Sequence, residues 1–435
     1  MVKKLNFNDN DFNISFRSLI RARKSVPKEV DKKVSNIIAD VRTGGDASLR
    51  LLTAKYDGFE ISDDSSFIIT NSERFSISKS CDKCTFDALR FAADRIRTFH
   101  EKQTPEDISF EDDLGVSLGS VWRPISSVGL YVPGGTASYP SSVLMNALPA
   151  KVAGVPRIVM VVPSQDGNLN PAVVAAAEIA GVDEVWRIGG AQAIAALAYG
   201  TETLDPVDKI VGPGNMWVAT AKQKVYGDVG IDMIAGPSEI LVVADSENDP
   251  SWIAADLLSQ AEHDESAQSI LITDDNTFAN EVEKNIANYL KTLSRHEIAS
   301  LSWEEHGAII IVPSLEDDSP DLVNKIAPEH LEIATENPKI IADRILNVGA
   351  IFLGRYTPEA IGDYVAGTNH VLPTSGSARF SSSLSVPDFL KRTSIVSCNS
   401  SSLKSLAPSA IKLAEVEGLG AHALSVSIRI TKDLD

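Results

Sequence analysis

The sequence predicts an α/β protein with two doubly wound, Rossmann-like parallel-sheet lobes, a helical N-terminal arm and a small C-terminal segment. From Val121 onwards, short β-branched runs alternate with alanine-rich runs of helical spacing, which is the pattern of repeated βα units. The β-branched runs are apolar almost throughout, as expected of parallel strands that are covered on both faces. Of the 435 residues, 43% are hydrophobic, so the chain can form more than one large core.

The N-terminal part of the chain is predicted to be mainly helical. Residues 1–57 carry apolar side chains at helical spacing, with an interruption at Ser25-Val-Pro27. Residues 62–80 are polar and are predicted to be irregular. One long helix is predicted over 85–104, because Pro105 ends it, and an acidic loop follows.

Each predicted strand of the two lobes is followed by a helical run. The first series of strands comprises residues 127–133, 157–163, 183–190 and 208–215. The second series comprises residues 238–245, 269–274, 307–313 and 349–354. The segment after about residue 381 is predicted to contain one helix, 407–417, and a terminal strand.

These elements predict four parts of the chain. They are an N-terminal arm (1–25), a discontinuous first lobe (26–130 with 239–380), a second lobe that carries ligand-binding turns (131–238), and a C-terminal segment (381–435).

Composition and charge disfavour several classes of function. The 59 Asp and Glu residues exceed the 40 Lys and Arg residues, and the net charge of −19 disfavours binding to nucleic acid or to an anionic membrane. No apolar run approaches the ~20 residues that a bilayer requires, and the N-terminus lacks the apolar region of a signal peptide. We therefore expect a cytoplasmic protein.

The three cysteines do not form a disulfide framework. Cys81 and Cys84 form a CxxC pair, which is found in redox pairs and in zinc sites. No second CxxC exists, and the surrounding residues are polar. The pattern therefore favours two thiols at the start of a helix.

Glycine-rich turns follow several predicted strands and indicate a binding crevice. Because ligands bind at the carboxyl ends of strands in an open parallel sheet, such turns converge on one crevice, where helix N-termini favour phosphate. The alternative is that they are ordinary tight turns. The turns are Tyr131-Val-Pro-Gly-Gly135, Gly189-Gly-Ala-Gln192, Gly212-Pro-Gly-Asn215 and Ala235-Gly-Pro-Ser-Glu239.

Known nucleotide-binding motifs do not explain these turns. The chain has no GxxxxGK[ST] string, which excludes a P-loop. Gly418-Leu-Gly420-Ala-His-Ala423 matches GxGxxA, but it follows a predicted helix and not a strand. We therefore reject it as a dinucleotide motif.

A second group of motifs is rich in histidine. Gln260 and His263 are three residues apart and share one face if they are helical. Further histidines lie in the strings APEHLE, GTNHV and GAHA. Nitrogen and oxygen donors without a thiolate suit zinc, although no HExxH spacing is present. The alternative for each histidine is a core or capping role, to which we assign His100, His296 and His306.

The motifs together resemble the histidinol dehydrogenase family over about residues 30 to 430. The matching strings, in order, are YVPGG, IGGAQAIAALAYGT, VGPGN, IDMIAGPSE, DLLSQAEHD, APEHLE, GDYVAGTNHVLPT and EGLGAHA. The resemblance implies oxidation of L-histidinol to L-histidine through a bound aldehyde, with two NAD molecules as successive hydride acceptors. It also implies a homodimer with one zinc ion per subunit, the C-terminal segment being exchanged between subunits.

The resemblance also implies roles for individual residues. His330 would be the general base, and Glu329 on the same loop would activate water for addition to the aldehyde. The zinc ligands would be Gln260, His263, Asp363 and His422, the last from the other subunit. These four residues and His330 would also contact the substrate, as would Ser238, His370 and Glu417. The NAD contacts would be Tyr131, Gln192 and Asn215.

Two other functions compete with the dehydrogenase. A zinc hydrolase would use Glu329 or Glu262 to activate metal-bound water, but it would need no dinucleotide crevice. An inactive paralogue that binds a small ligand would have lost a metal ligand or the base, yet every family position named above is present.

Overall fold

A computed structural model describes residues 2–21, 28–61, 67–134, 139–234 and 236–431. The chain divides into two units. The first unit comprises Met1–Gln103 and Ser126–Asp388, and the second comprises Thr104–Ile125 and Phe389–Asp435.

The described residues form strands and helices in alternation over most of the first unit. The strands are β1 (Lys3–Asn6), β2 (Ile108–Glu111), β3 (Ser117–Pro124), β4 (Ser127–Tyr131), β5 (Arg157–Val161), β6 (Glu184–Trp186), β7 (Lys209–Val211), β8 (Gly230–Ile231), β9 (Glu239–Ala244), β10 (Gln268–Thr273), β11 (Ala308–Ile311), β12 (His330–Ala334), β13 (Ala350–Leu353) and β14 (Leu390–Ser397). The helices are α1 (Phe12–Arg21), α2 (Lys28–Asp57), α3 (Asn71–Lys79), α4 (Lys83–Glu101), α5 (Pro140–Val152), α6 (Pro171–Ala180), α7 (Gly190–Tyr199), α8 (Met216–Val225), α9 (Pro250–Ala261), α10 (Asn276–Tyr289), α11 (His296–His306), α12 (Leu315–Ile326), α13 (Pro338–Ala342), α14 (Glu359–Tyr364), α15 (Ser400–Val416) and α16 (Gly420–Thr431).

The first unit contains a six-stranded sheet in the order β1-β11-β10-β9-β12-β13, in which all pairs are parallel. Successive side chains of a strand point to opposite faces. In β9, Leu241 and Val243 pack with α1 and α12 in one apolar core. Ile240 and Val242 pack with α9, α10 and α11 in another. The sheet is thus covered on both faces, which explains why its central strands are apolar almost throughout.

The same unit contains a five-stranded parallel sheet in the order β6-β5-β4-β7-β8. Helices α2, α7 and α8 contribute to one core with Tyr131, Val159 and Ile210 of this sheet. Helix α5 contacts β4. The predicted α/β class with two parallel, Rossmann-like sheets is therefore confirmed.

The second unit contains a three-stranded antiparallel sheet, in the order β14-β3-β2, and two helices, α15 and α16, that pack on each other. Asn399 begins α15 with a capping box, in which its side chain accepts the Ser402 N–H and its own N–H donates to the Ser402 hydroxyl.

Several local predictions are wrong. Residues 1–57 are not all helical, because β1 pairs with β11, a strand some 300 residues away that no local pattern reveals. The predicted acidic loop contains β2, whose residues are all exposed and thus lack an apolar signal. The polar segment 62–80 contains α3, which begins at the cap Thr70; residues 62–66 lie outside the described ones.

The C-terminal prediction is also wrong in two respects. The predicted terminal strand is the helix α16, although its sequence SVSIRI is rich in β-branched residues. The sequence does not predict strand β14, because its residues are mostly exposed. It forms a strand because it pairs with β3, which is distant in the chain.

The division into an N-terminal arm, two lobes and a C-terminal segment stays a prediction. Helix α2 lies in the range 26–130, which is predicted to join 239–380, and its apolar face packs on the five-stranded sheet with α7 and α8. Among the described residues, no helix has the length and apolar character needed to cross a bilayer.

The core role assigned to His100 is confirmed, whereas the roles assigned to His296 and His306 stay predictions. His100 is buried in α4, where its Nδ1 lies 2.7 Å from the Ile96 carbonyl oxygen. His296 and His306 are the first and last residues of α11. Cys81 and Cys84 are free thiols at the start of α4.

Candidate active site

A buried histidine lies among acidic side chains at the amino end of the six-stranded sheet. His330 is the first residue of β12, between β9 and β13, and Glu329 precedes it. Both side chains are buried. The prediction that the pair lies on a loop is wrong for His330, because the run HLEIA is a fully buried strand. The site thus lies at the opposite end of the strands from the one that open parallel sheets usually use.

The contacts of the His330 ring show which of its two nitrogens is available for proton transfer. Its Nδ1 lies 3.0 Å from the Glu239 carbonyl oxygen. Glu359 Oε1 and Glu329 Oε2 lie 3.4 and 3.7 Å from the same nitrogen. Because a carbonyl oxygen can only accept, Nδ1 carries a hydrogen whether the ring is charged or neutral. Nε2 is therefore the nitrogen that gains or loses the second proton; it is buried, 3.6 Å from Asp363 Oδ1, without a hydrogen-bond partner among the described residues.

The pKa values of His330 and of the acidic side chains around it differ strongly from their ordinary values. Burial opposes the charged form of His330, but Glu359, Glu329 and Asp363 outweigh that effect and raise the pKa of the ring well above its ordinary value. Burial raises the pKa of Glu329 to about 8 and that of Glu359 to about 8. The two carboxyl groups can therefore exchange protons near neutral pH, which is what general acid–base catalysis requires.

Asp363, on α14, is the carboxylate around which three imidazoles are arranged. Burial alone would raise its pKa, but the charges of His330, His370 and His263 lower it below the ordinary value. His263 follows the end of α9 and keeps an exposed edge, while the surrounding protein atoms lower its pKa by desolvation. One carboxylate with several imidazoles is a donor set that suits zinc.

Gln260, near the end of α9, is 1% exposed and joins the same group. In the amide orientation that satisfies both neighbours, its nitrogen donates to Glu359 Oε1 at 2.9 Å and its oxygen accepts the Glu239 N–H at 2.7 Å. Glu329 Oε2 accepts the same N–H at 2.8 Å. The structure thus brings Gln260 and the Glu329–His330 pair around the first residue of β9.

One acidic residue of the site was missed by the sequence analysis. Among the described residues, His330, Glu359 and Asp363 place potential metal-ligand atoms within 4.8 Å of one another. Glu359 lies four residues before Asp363, so the two share one face of α14. That spacing is the signal from which Glu359 could have been found.

The two further residues assigned to substrate in the first unit differ in their surroundings. His370 Nδ1 lies 2.9 Å from the Asp363 carbonyl oxygen, and its Nε2 lies 3.4 Å from Ser142 Oγ on α5. Ser238 directly precedes β9 and is half-buried, and its carbonyl oxygen accepts the Gln268 N–H at 2.9 Å.

Glu417 and His422 belong to the second unit. Glu417 ends α15 and His422 lies in the first turn of α16, and both are exposed. Their assignment to the site stays a prediction.

Three of the four glycine-rich turns meet at the carboxyl end of the five-stranded sheet. The Tyr131 hydroxyl at the end of β4 accepts the Gly190 N–H, after β6, at 3.1 Å. Gly212, after β7, has φ +114°, and a Cβ there would lie 2.1 Å from the Tyr131 carbonyl oxygen. Only glycine permits this approach. Gly135 and Ala235, in the first and fourth turns, lie outside the described residues.

The side chains assigned to NAD surround these turns. Tyr131 is buried, which raises its pKa to about 12. Gln192, in the first turn of α7, is 1% exposed. Asn215 is exposed and caps α8 by accepting the N–H groups of the two residues that follow Met216. Three of the four turns thus converge, whereas the fourth leads into β9 of the six-stranded sheet. Ligand binding by the turns stays a prediction.

A carboxylate that the sequence analysis did not consider reaches the same turns. Asp57 is the last residue of α2, and its Oδ2 lies 3.5 Å from Gln192 Nε2. Burial raises its pKa to about 6, although the Gly189 N–H, which it accepts, lowers it. No local motif marks this residue, because it meets the turns only through the packing of α2 on the sheet.

Comparison with known proteins identifies the family. A sequence model described as "Histidinol dehydrogenase" matches residues 20–430. The histidinol dehydrogenase of Rhodospirillum rubrum is 58% identical over 99% of both chains, and that of Rhizobium meliloti is 57% identical over 99% of both. The crystal structure of the histidinol dehydrogenase from Elizabethkingia anophelis has a TM-score of 0.93 at 35% identity and covers 99% of this chain and 98% of its own. This protein therefore belongs to the histidinol dehydrogenase family and is an oxidoreductase.

Proposed function

We propose that the protein oxidises L-histidinol to L-histidine through a bound L-histidinaldehyde, with two NAD molecules, in the last steps of histidine biosynthesis. The observation that carries this proposal is the buried His330, whose ring is surrounded by three carboxylates and whose Nε2 has no hydrogen-bond partner in the described part of the chain. A site of this kind can remove a proton from an alcohol while a hydride leaves the same carbon.

We assign the role of general base to His330. Its Nδ1–H donates to the Glu239 carbonyl, so Nε2 can accept the alcohol proton in the first oxidation. The positive charge that then forms is stabilised by Glu359 and Asp363. The same nitrogen would accept the proton of the aldehyde hydrate in the second oxidation, after the first proton has been released.

We assign activation of water to Glu329. Its carboxylate is held by the Glu239 N–H, and its pKa of about 8 suits the removal of a proton from water as the water oxygen adds to the aldehyde carbon. Because the site is buried, free water and thiols have little access to the aldehyde between the two steps.

We propose that zinc is held by Gln260, His263 and Asp363, together with His422 of a second copy in a homodimer. The arrangement of imidazoles around the buried Asp363 carboxylate supports this donor set. Zinc, when bound, would position the substrate imidazole and amine nitrogens. His370 and Ser238 would contact the substrate from the same chain, and Glu417 from the second copy.

NAD, when bound, supplies the hydride acceptor, and we assign its contacts to Tyr131, Gln192 and Asn215. Their convergence at the carboxyl end of the five-stranded sheet supports this assignment. The helix N-termini after these turns favour a pyrophosphate. The cytoplasmic location expected from the sequence stays a prediction.

The test is NADH production from purified protein with L-histidinol and NAD, before and after chelation and zinc addition. Two NADH per histidinol, lost on chelation and restored by zinc, are expected. One NADH per histidinol would mean that the aldehyde escapes, which would contradict the role of Glu329. No NADH with zinc present would reject the proposal in favour of an inactive paralogue or a zinc hydrolase.

The contribution of a second copy has its own test. His422→Ala and His263→Ala proteins, each inactive alone, are mixed and allowed to exchange subunits. If His422 completes the site of the other subunit, the mixed dimer regains about one intact site. A mixture that stays inactive, although subunit exchange is demonstrated by differently tagged copies, would contradict the shared site.

A further inference from the structure

The turns assigned to NAD include a charged side chain that has no role in the assignments above. Asp57 ends α2, a helix that packs on the five-stranded sheet beside α7 and α8. Its carboxylate accepts the Gly189 N–H and lies 3.5 Å from Gln192 Nε2. It also influences the Tyr131 hydroxyl, which itself accepts the Gly190 N–H. Asp57 therefore lies among the residues assigned to the dinucleotide.

The surroundings of Asp57 fit a neutral ligand group with two donors better than a phosphate. A carboxylate accepts hydrogen bonds from vicinal ribose hydroxyls, and it repels a phosphate ester at the same position. Asp57 is only partly buried, so a ligand can approach this residue from solvent. Its two neighbours, the Gly189 N–H and the Gln192 amide, keep it in place without neutralising its charge.

We propose that Asp57 accepts hydrogen bonds from the adenosine ribose hydroxyls of the dinucleotide and makes the protein select NAD over NADP. This inference rests on the proposed function, since it assumes that the dinucleotide binds at these turns. Asp57 comes from a helix that precedes the five-stranded sheet in the chain, and not from the end of a second sheet strand, as in the usual dinucleotide fold. The physical basis of the selection is the same in both cases, because a carboxylate favours a ribose with a free 2′-hydroxyl.

The test measures dissociation constants by calorimetry without histidinol, so that it does not depend on turnover. Wild type, Asp57→Asn and the control Asp228→Asn are each titrated with NAD and with NADP. Asp228 is an exposed carboxylate of the same unit that accepts the Tyr199 hydroxyl. Asn at 57 can still accept the Gly189 N–H, so a purely anchoring role of Asp57 would be preserved.

For Asp57→Asn we expect NAD to bind about tenfold more weakly and the preference for NAD over NADP to fall by tenfold or more. The Asp228→Asn protein should match wild type. Unchanged NAD affinity, or an unchanged ratio between the two dinucleotides, in a normally folded Asp57→Asn protein would overturn the inference and leave the proposed function intact. Failure of the wild type to bind NAD would overturn both.

A second measurement needs no variant and covers the case in which Asp57→Asn does not fold. NAD that lacks the 2′-hydroxyl of its adenosine ribose should bind to wild type several-fold more weakly than NAD. Equal affinity for the two ligands would contradict a hydrogen bond from that hydroxyl to Asp57.

Discussion

Replacement of Lys222 by Met is expected to lower the free energy of unfolding by about 3–5 kcal/mol, the usual cost of leaving one partner of a buried ion pair alone. Lys222 and Asp232 form such a pair, and their side chains are 2% and 1% exposed. Lys222 Nζ also donates to the Gly212 carbonyl at 2.9 Å, while Asp232 accepts the Gly212 N–H at 2.8 Å. The pair therefore binds both the N–H and the carbonyl group of Gly212, in the turn that leads to Asn215.

The contacts of Asp232 place the expected cost at the lower end of that range. After Lys222→Met, the Asp232 carboxylate keeps the N–H groups of Gly212 and Met233, the latter at 2.6 Å. Lys209 lies close enough for its charge to act on the same carboxylate. The methionine side chain fills most of the space of the lysine stem. We therefore expect about 3 kcal/mol for this variant.

A double-mutant cycle separates the pair from its surroundings. Lys222→Met, Asp232→Asn and the double variant are unfolded in urea and followed by tryptophan fluorescence. The double variant removes both charges and should be more stable than the sum of the single changes predicts, by about 1–3 kcal/mol. A Lys222→Met protein within 0.5 kcal/mol of wild type, or fully additive changes, would refute the reasoning.

Three further predictions concern the six-stranded sheet. Glu332 is buried in β12, and burial raises its pKa to about 9. Between about pH 4.5 and pH 9 the folded protein therefore keeps a proton on Glu332 that the unfolded protein loses. The free energy of unfolding should fall as the pH rises through this range. The Glu332→Gln protein should therefore have a melting temperature several degrees above that of wild type at pH 8 and the same melting temperature as wild type at about pH 4. A difference that does not depend on pH would contradict this. His330→Gln should lower turnover by about 10²–10⁴-fold with little change in histidinol affinity, and near-full activity would remove His330 as the base. Glu329→Gln should impair oxidation of histidinaldehyde more than oxidation of histidinol in single-turnover assays; an intact aldehyde step would exclude water activation by Glu329.

Much of the fold could be predicted because its signals are local. The strands of both parallel sheets are short apolar runs, and the helices between them have apolar residues at helical spacing. Strands that depend on a distant partner could not be predicted. The four residues of β1 have one buried side chain, and they form a strand only because β11 lies beside them.

The residues of the candidate site also divide into those that a local motif indicates and those that it does not. Gln260, His263 and Asp363 lie in motifs that resemble a known family, and the structure places all three near His330. Glu359 was missed, because its spacing of four residues from Asp363 does not by itself distinguish it from a solvated glutamate on a short helix.

The α/β class, the glycine turns and the types of reactive residue can be read from the sequence, since each depends on spacing within a few residues. Three features follow from tertiary packing alone: His330 begins a buried strand, its Nδ1 faces the Glu239 carbonyl, and Asp57 lies beside Gln192. These facts depend on burial and on contacts between residues far apart in the chain, and both arise only when helices and strands pack.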